Sequence, residues 1–357
     1  MDELLIAQKE NLGIDNFLEN AKVYVEDLNL NINLDKLYQE ALKSGNIIDG
    51  LKQIDIRSIF LKEVSSILST IALILVVIII NAILKSIIDS LNNSSASKNI
   101  YFIQYLVIAS IIIKTFMPVL EITKEAINSC VGFMNILLPI LLVMMLSTGN
   151  IVTKSVVEPV LLVMMNFIGK FINNFCIPVL LISFVISLVS NLTTKVKVDK
   201  ISKLLKSIIL WTLGIVLTFF TVTLSLETTI TESVDDLASK TTKAAVSNFI
   251  PVVGKIMGDT VETVIGSINV LKNVVGVIGT IIILLIVLLP SIRIMICWFM
   301  FKVVSAVAGP CSDENISNLL ESIADSYKIM LGLLCTVSIM FIIGITIVIN
   351  ITSMSVG

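Results

Sequence analysis

From Ser66 onward the chain returns again and again to apolar runs of close to twenty residues. A hydrocarbon core of about 30 Å takes roughly 20 helical residues to cross, and inside lipid every backbone polar group must be satisfied within the protein. Candidate spans are 66–84, 100–119, 130–146, 156–172, 175–190, 207–226, 270–290, 292–309 and 329–352. The expected fold class is therefore all-α, a polytopic helical membrane protein with about nine spans. The fourth and fifth runs are short, and Lys170, Asn173 and Asn174 interrupt them. They form either two crossings or one re-entrant hairpin. Composition agrees, with 56% hydrophobic and 15% charged residues in 357, where soluble domains carry about 25% charged.

Residues 1–65 differ from the rest, with 12 acidic and 7 basic side chains. Ile14, Phe17, Leu18, Ala21, Val25 and Leu28 recur at helical spacing, as do Leu34, Leu37, Tyr38, Ala41 and Leu42. Ser44-Gly45-Asn46 reads as a helix stop. The segment is expected to be a small helical extracytoplasmic module. Its apolar faces either pack on one another or dock onto a partner or the membrane surface.

Lys and Arg in short loops set orientation. The 191–206 loop carries Lys195, Lys197, Lys200, Lys203 and Lys206 against one Asp199 and is placed in the cytoplasm. With nine spans, Lys85, Lys98, Lys154 and Arg293 fall on that side too. Glu121, Glu125, the acidic 227–267 loop and the 310–328 loop fall on the other. This puts the N-terminus outside the cytoplasm and the C-terminus inside. Met1-Asp2-Glu3 opens no signal peptide, so export of the first 65 residues needs either a reverse-anchor first span or a signal preceding Met1. The second is the reading adopted. The chain thus divides into residues 1–65, a membrane domain at 66–226 with six spans, an extracytoplasmic loop at 227–267, and a membrane domain at 268–357 with three.

The 227–267 loop is rich in Thr and Ser, then in small residues. Val234, Leu237, Ala238, Thr241, Ala245 and Phe249 share one helical face, which suits an amphipathic helix at the interface, broken at Pro251. Small residues let membrane helices approach closely. Phe249, Pro251, Gly254, Gly258, Gly266 and Gly276 are therefore the candidate assembly region. A local repeat, Pro139-Ile140-Leu141-Leu142-Val143-Met144-Met145 and Pro159-Val160-Leu161-Leu162-Val163-Met164-Met165, with an echo at Pro178, suggests helix-start prolines.

Ordinary enzyme chemistry is hard to build here. There is no histidine, which removes Ser-His-Asp and Cys-His chemistry and the commonest zinc ligand. The five cysteines form no C-x-x-C pair and read as small buried hydrophobes. Gly254-Lys255-Ile256-Met257-Gly258 lacks phosphate-loop order. No metal, cofactor or nucleic-acid site is expected. Ionisable residues inside spans default to function. Lys114, Lys170 and Arg293 lie near span ends, where they can snorkel, and Glu158 sits before Pro159 at an expected helix start. Lys302 lies mid-span. It and Asn81 are the candidate lining of a polar path.

Several separated motifs agree in order with one family. They are Ala244-Ala245-Val246-Ser247-Asn248-Phe249-Ile250-Pro251-Val252-Val253-Gly254, then Gly258-Asp259 and Leu271-Lys272-Asn273-Val274-Val275-Gly276. Leu138-Pro139-Ile140-Leu141-Leu142, Glu158-Pro159, Asn173-Asn174, the stretch from Lys203-Leu204-Leu205 to Trp211, Lys302 and Pro310 support them. From about Leu37 to its end the chain resembles the stage III sporulation protein AE family. The resemblance implies a multi-pass component of a channel or secretion apparatus between mother cell and engulfed forespore in endospore-forming bacteria. It implies other stage III sporulation membrane proteins as partners, and no catalytic residues. A membrane-embedded channel or export-gate component, working as a homo-oligomer or with those partners, is the first expectation. A non-transporting scaffold recruiting partners through residues 1–65, and a self-contained small-molecule permease, are the alternatives.

Overall fold

The computed structural model describes residues 8–9, 11–26, 33–44, 56–90, 94–148, 150–190, 199–249, 253–311 and 314–353, with side chains at some of these positions, Asn81 and 227–263 among them, outside the description. The described elements are all helical: α1 (Ile14–Glu26), α2 (Leu34–Ser44), α3 (Ile56–Ser90), α4 (Ser94–Ser147), α5 (Ile151–Phe171), a π-helical turn (Ile172–Cys176), α6 (Ile177–Ser190), α7 (Asp199–Phe249), α8 (Val253–Cys311) and α9 (Glu314–Ser353).

Six stretches are long and apolar enough to cross a membrane among the described residues: Phe60–Leu84, Asn99–Ser147, Thr153–Ser190, Asp199–Leu226, Val264–Pro310 and Glu314–Asn350. The expected nine do not appear as nine helices. Where α4 was expected to end and restart near Glu121, it runs on through Pro118 and Pro139, and α8 runs on through Pro290. At 1.5 Å per residue, the 49-residue stretch Asn99–Ser147 is about 73 Å long. That is more than twice a hydrocarbon core. Each long helix therefore carries two of the apolar runs end to end.

The fourth and fifth runs form neither two crossings nor a hairpin. They lie in one line through the π-helical turn at Ile172–Cys176. Such a turn inserts a residue without ending the helix. Asn173 donates Nδ2 to Oδ1 of Asn128 at 2.7 Å and Asn166 donates to Asn135 at 3.3 Å. Asn173, which looked like part of a break, is bonded to α4. The prolines differ from expectation as well. Pro139 and Pro159 lie inside helices, which membrane helices tolerate when neighbours re-satisfy the freed backbone.

The chain neighbours α8 and α9 pack antiparallel. The α8–α9 hairpin is held in register by Lys272 Nζ donating to the Val348 carbonyl at 3.1 Å, by Ser305 Oγ donating to the Ser317 carbonyl at 2.9 Å, and by the Lys302–Glu321 ion pair. Gly279 lets the Leu137 side chain of α4 lie against α8, and Gly169 does the same for Val131. Phe116 of α4 stacks on Phe184 of α6 at 3.8 Å between centroids. Gly344 of α9 meets Met165, Leu161 and Phe220, joining α9 to α5 and α7.

That register stacks two strata. In the first, α4 from Ala126 to Ser147, α7 from Ser207 to Leu226 and α9 from Ile329 to Asn350 carry no Asp, Glu, Lys or Arg. Between Val264 and Ile292, α8 carries only the buried Lys272, while α5 keeps Lys154, Glu158 and Lys170 toward its ends. The α4, α7 and α9 segments are each about 20 residues, the thickness of one bilayer core. The second stratum holds α3, the first half of α4, α6, the start of α7, the end of α8 and the start of α9. It carries Lys200, Lys203, Lys302, Glu314 and Glu321 on exposed positions. Between the two runs a charged waist.

The N-terminal helices pack on the bundle. Asn33 caps α2, its Oδ1 accepting from the Lys36 amide at 3.0 Å. Ile14, Phe17, Leu18, Ala21 and Val25 of α1 are buried. Phe17 and Tyr24 meet Phe133 of α4 at 6.3 and 5.6 Å between centroids, and Gly132 leaves space for the Tyr24 hydroxyl. Lys22 and Asp35 join α1 to α2 at 2.8 Å, which raises the Lys22 pKa. Burial pushes the Tyr38 phenol up to about 12.

Candidate functional site

Lys302 is on the outside. It lies on an exposed face of α8, half accessible, and pairs with the equally accessible Glu321 of α9. Three residues further along, Ser305 and Ser317 exchange hydroxyl-to-carbonyl bonds at 2.9 Å. Lys302 thus belongs to the polar seam of the α8–α9 hairpin. The side chain of Asn81 lies outside the described residues, as do those of Phe249, Pro251, Gly254 and Gly258. Gly266 faces open space, whereas Gly276 packs against Ile349 and Ile345 of α9 in the same chain.

The most buried polar group was not foreseen. Ser183 and Ser187 of α6, Ser202 and Lys206 of α7 and Ser322 of α9 are all buried. Ser202 Oγ lies 2.9 Å from Ser183 Oγ and 2.6 Å from Ser187 Oγ, which is 2.8 Å from Ser322 Oγ. Lys206 Nζ donates to the Ser322 carbonyl and, at 2.9 Å, to its hydroxyl. A lysine beside a serine hydroxyl has the composition of a Ser–Lys nucleophile pair. Here each hydroxyl is engaged by its neighbours, and the group lines none of the three described clefts. It fastens three helices together with hydrogen bonds inside an apolar setting. Ser183 and Ser187, like Ser322 and Ser326, stand four apart on one helical face, the one signal available in the sequence.

The clefts are at the waist and on α7. Leu210, Trp211, Gly214, Ile215, Thr218, Phe219 and Val222 line an apolar groove of about 710 Å³ on the outer face of α7. Two polar clefts meet at Arg293. One, of about 480 Å³, is lined by Tyr24, Glu63, Glu125, Ser129, Ile286 and Pro290 with neighbouring apolar residues. The other, of about 390 Å³, is lined by Lys114, Thr70, Thr115, Pro118 and Cys297 among others. Arg293 Nε lies 3.7 Å from Glu63 Oε2, too long for a hydrogen bond, and it is a buried donor without a hydrogen-bond partner. The prolines add to this. Pro290 has no N–H for the Ile286 carbonyl, and Pro118 none for that of Lys114. Each freed carbonyl belongs to a residue lining one of the clefts.

This corrects the orientation reading. Arg293 was expected on the face opposite Glu125, yet the two line one cleft, with Glu63. Both α4 and α8 pass through the waist instead of turning there, which brings these residues to one level.

Cys130, Cys176 and Cys297 are buried free thiols. Among the described residues no group of three metal-ligating side chains converges.

Comparison with known proteins places this architecture. Residues 32–352 match the family model described as stage III sporulation protein AE. Over 268 residues the chain is 30% identical to stage III sporulation protein AE of Bacillus subtilis (strain 168), covering 75% of this chain and 67% of that protein. No solved structure matches.

Proposed function

The chain belongs to the stage III sporulation protein AE family, and from that premise we propose that it is a membrane-embedded channel or export-gate component of the apparatus linking mother cell and forespore, with the passage lying between chains. Membership makes it a multi-pass membrane component of sporulation and not an enzyme. The observation carrying the finer reading is the filled interior of the bundle. Phe116, Phe133, Phe220, Phe301, Tyr327 and Phe341 are fully buried along its length. Lys302, the residue expected to line a path through one chain, is on the surface. A self-contained permease has little to work with in this geometry, and a passage shared by several copies or by other sporulation proteins suits it better.

With Phe249 at the end of α7 and Gly254, Gly258 and Gly266 in α8, the stretch around Pro251 is the assembly region in this proposal, and Gly276 is left to internal packing. The scaffold alternative recruits partners through residues 1–65, where the apolar faces of α1 and α2 are already buried against the bundle. The membrane proposed is that of the mother cell around the forespore, with the N-terminal segment outside the cytoplasm.

Purified protein in nanodiscs, weighed by mass photometry and assayed for small-dye flux in liposomes, tests this. An oligomer, or a monomer impermeable alone, is expected. A monomer that conducts would replace the reading with a permease. Protease access to terminal tags adds a topology check, since six crossings put both ends of the membrane domain on one side and nine put them on opposite sides.

A further inference from the structure

The two clefts at Arg293 have opposite chemistry. On one side the anion-seeking groups are Arg293 and Lys114, and Lys114 has no ion pair among the described residues. Thr115 Oγ1 already donates to the Ile111 carbonyl at 2.9 Å, so its hydroxyl can only accept. On the other side the groups that accept dominate: Glu63, Glu125, the Ser129 hydroxyl and the carbonyl of Ile286 freed by Pro290. Glu125 has no ion pair among the described residues. Arg293 stands between, its guanidinium ion-paired with Glu63 at 3.7 Å and its buried Nε without a hydrogen-bond partner among the described residues. A buried donor left unmade is costly, and a phosphate oxygen is a strong acceptor for it.

The place matters as much as the chemistry. The clefts open at the waist, at the end of the charge-free stratum that matches one bilayer core. A bilayer core centred on the charge-free stratum would put its headgroups at that level. The two volumes, about 480 and 390 Å³, are within the range of small-ligand sites, roughly 300–1,000 Å³. Basic pockets between membrane helices are known to hold phospholipid headgroups.

We propose that the paired clefts at Arg293 bind the headgroup of a zwitterionic aminophospholipid, its phosphate on Arg293 and Lys114 and its primary ammonium on Glu125 and the Ile286 carbonyl. The ligand comes from the bilayer, so its acyl chains anchor it beside α4. A phosphatidylcholine headgroup has no N–H to donate at the acidic end. A phosphatidylglycerol headgroup has no cation for it. The site therefore selects phosphatidylethanolamine over both.

The test is native mass spectrometry of the full chain from detergent supplemented in turn with phosphatidylethanolamine, phosphatidylcholine or phosphatidylglycerol. Phosphatidylethanolamine should be retained about tenfold more tightly than the other two, the effect of one or two charge-assisted bonds. Lys114→Gln and Arg293→Gln should each lower retention of all three lipids. Glu125→Gln should erase the preference for phosphatidylethanolamine and leave phosphatidylglycerol binding as it was. Lys114 and Glu125 are exposed, so those two variants carry the test even if Arg293→Gln does not fold. Equal retention of the three lipids, or retention unchanged in both exposed variants, overturns the proposal. So does equal protection against thermal unfolding by water-soluble glycerophosphoethanolamine, which would make the site one for a free phosphodiester.

Discussion

The stratum that α4 enters at Ala126 and the stratum it leaves there share α4, α7, α8 and α9, yet they handle charge differently. In the charge-free stratum, polar side chains turn back on their own helix or reach one neighbour, as with Thr280 Oγ1 to the Gly276 carbonyl at 2.9 Å and Asn166 to Asn135. In the charged stratum they form seams between helices, with the Ser–Lys group at α6–α7–α9 and the Lys302–Glu321 pair at α8–α9. A helix face turned to acyl chains cannot leave a charge unpaired, whereas Lys200 and Glu314 stand exposed in the charged stratum.

The largest expected effect sharpens that contrast. Val163 is exposed in the middle of the charge-free stratum and Ile201 is exposed between Lys200 and Lys203. Val163→Arg should cost about 3 kcal/mol of membrane-inserted stability, as for a charge at a helix centre in the bilayer, and Ile201→Arg less than about 0.5 kcal/mol. Expression level and thermal unfolding of the two variants measure this. Equal effects would erase the distinction between strata.

Close packing comes next. A side chain at Gly279 would collide with Leu137, while one at Gly214 would meet nothing. Gly279→Leu should destabilise by about 2–3 kcal/mol through overpacking, and Gly214→Ala should be neutral or slightly stabilising, read from melting temperatures in one detergent.

A pH effect separates the N-terminal helices from both strata. Tyr38 has a buried hydroxyl without a hydrogen-bond partner, and its pKa is raised to about 12 from 10.0. The folded state holds its proton where the unfolded state has lost it. Stability of the α1–α2 docking is therefore full below pH 10 and falls as pH rises toward 12, by on the order of 2 kcal/mol. Tyr38→Phe should flatten that decline, as followed by proteolysis of the N-terminal helices at alkaline pH.

Two smaller effects rank the seams. Ser187→Ala removes a buried hydroxyl shared by Ser202 and Ser322 and should cost about 1–2 kcal/mol. Lys302→Ala breaks an exposed pair and should cost under about 0.5 kcal/mol. Chemical denaturation of both in one detergent gives the order, and a reversed order would move the structural seam from Ser187 to Lys302.

The sequence by itself determined the all-α membrane class, the apolar runs, the helical faces of Ile14–Val25 and Leu34–Ala41, and the family, because hydrophobic periodicity and segment length are local properties. The tertiary structure decided whether two apolar runs separated by a few polar residues turn back or continue. Glu121-Ile122-Thr123-Lys124-Glu125 and Asn173-Asn174 look alike in either case, and only their partners on other helices distinguish a loop from a waist. It decided the site for the same reason. Glu63, Glu125 and Arg293 meet across up to 230 residues of chain, and no spacing rule reaches that far. Lys302 showed the converse, being mid-run in sequence and on the surface in space, since helical rotation against α9, and not position along a run, sets which way a side chain faces.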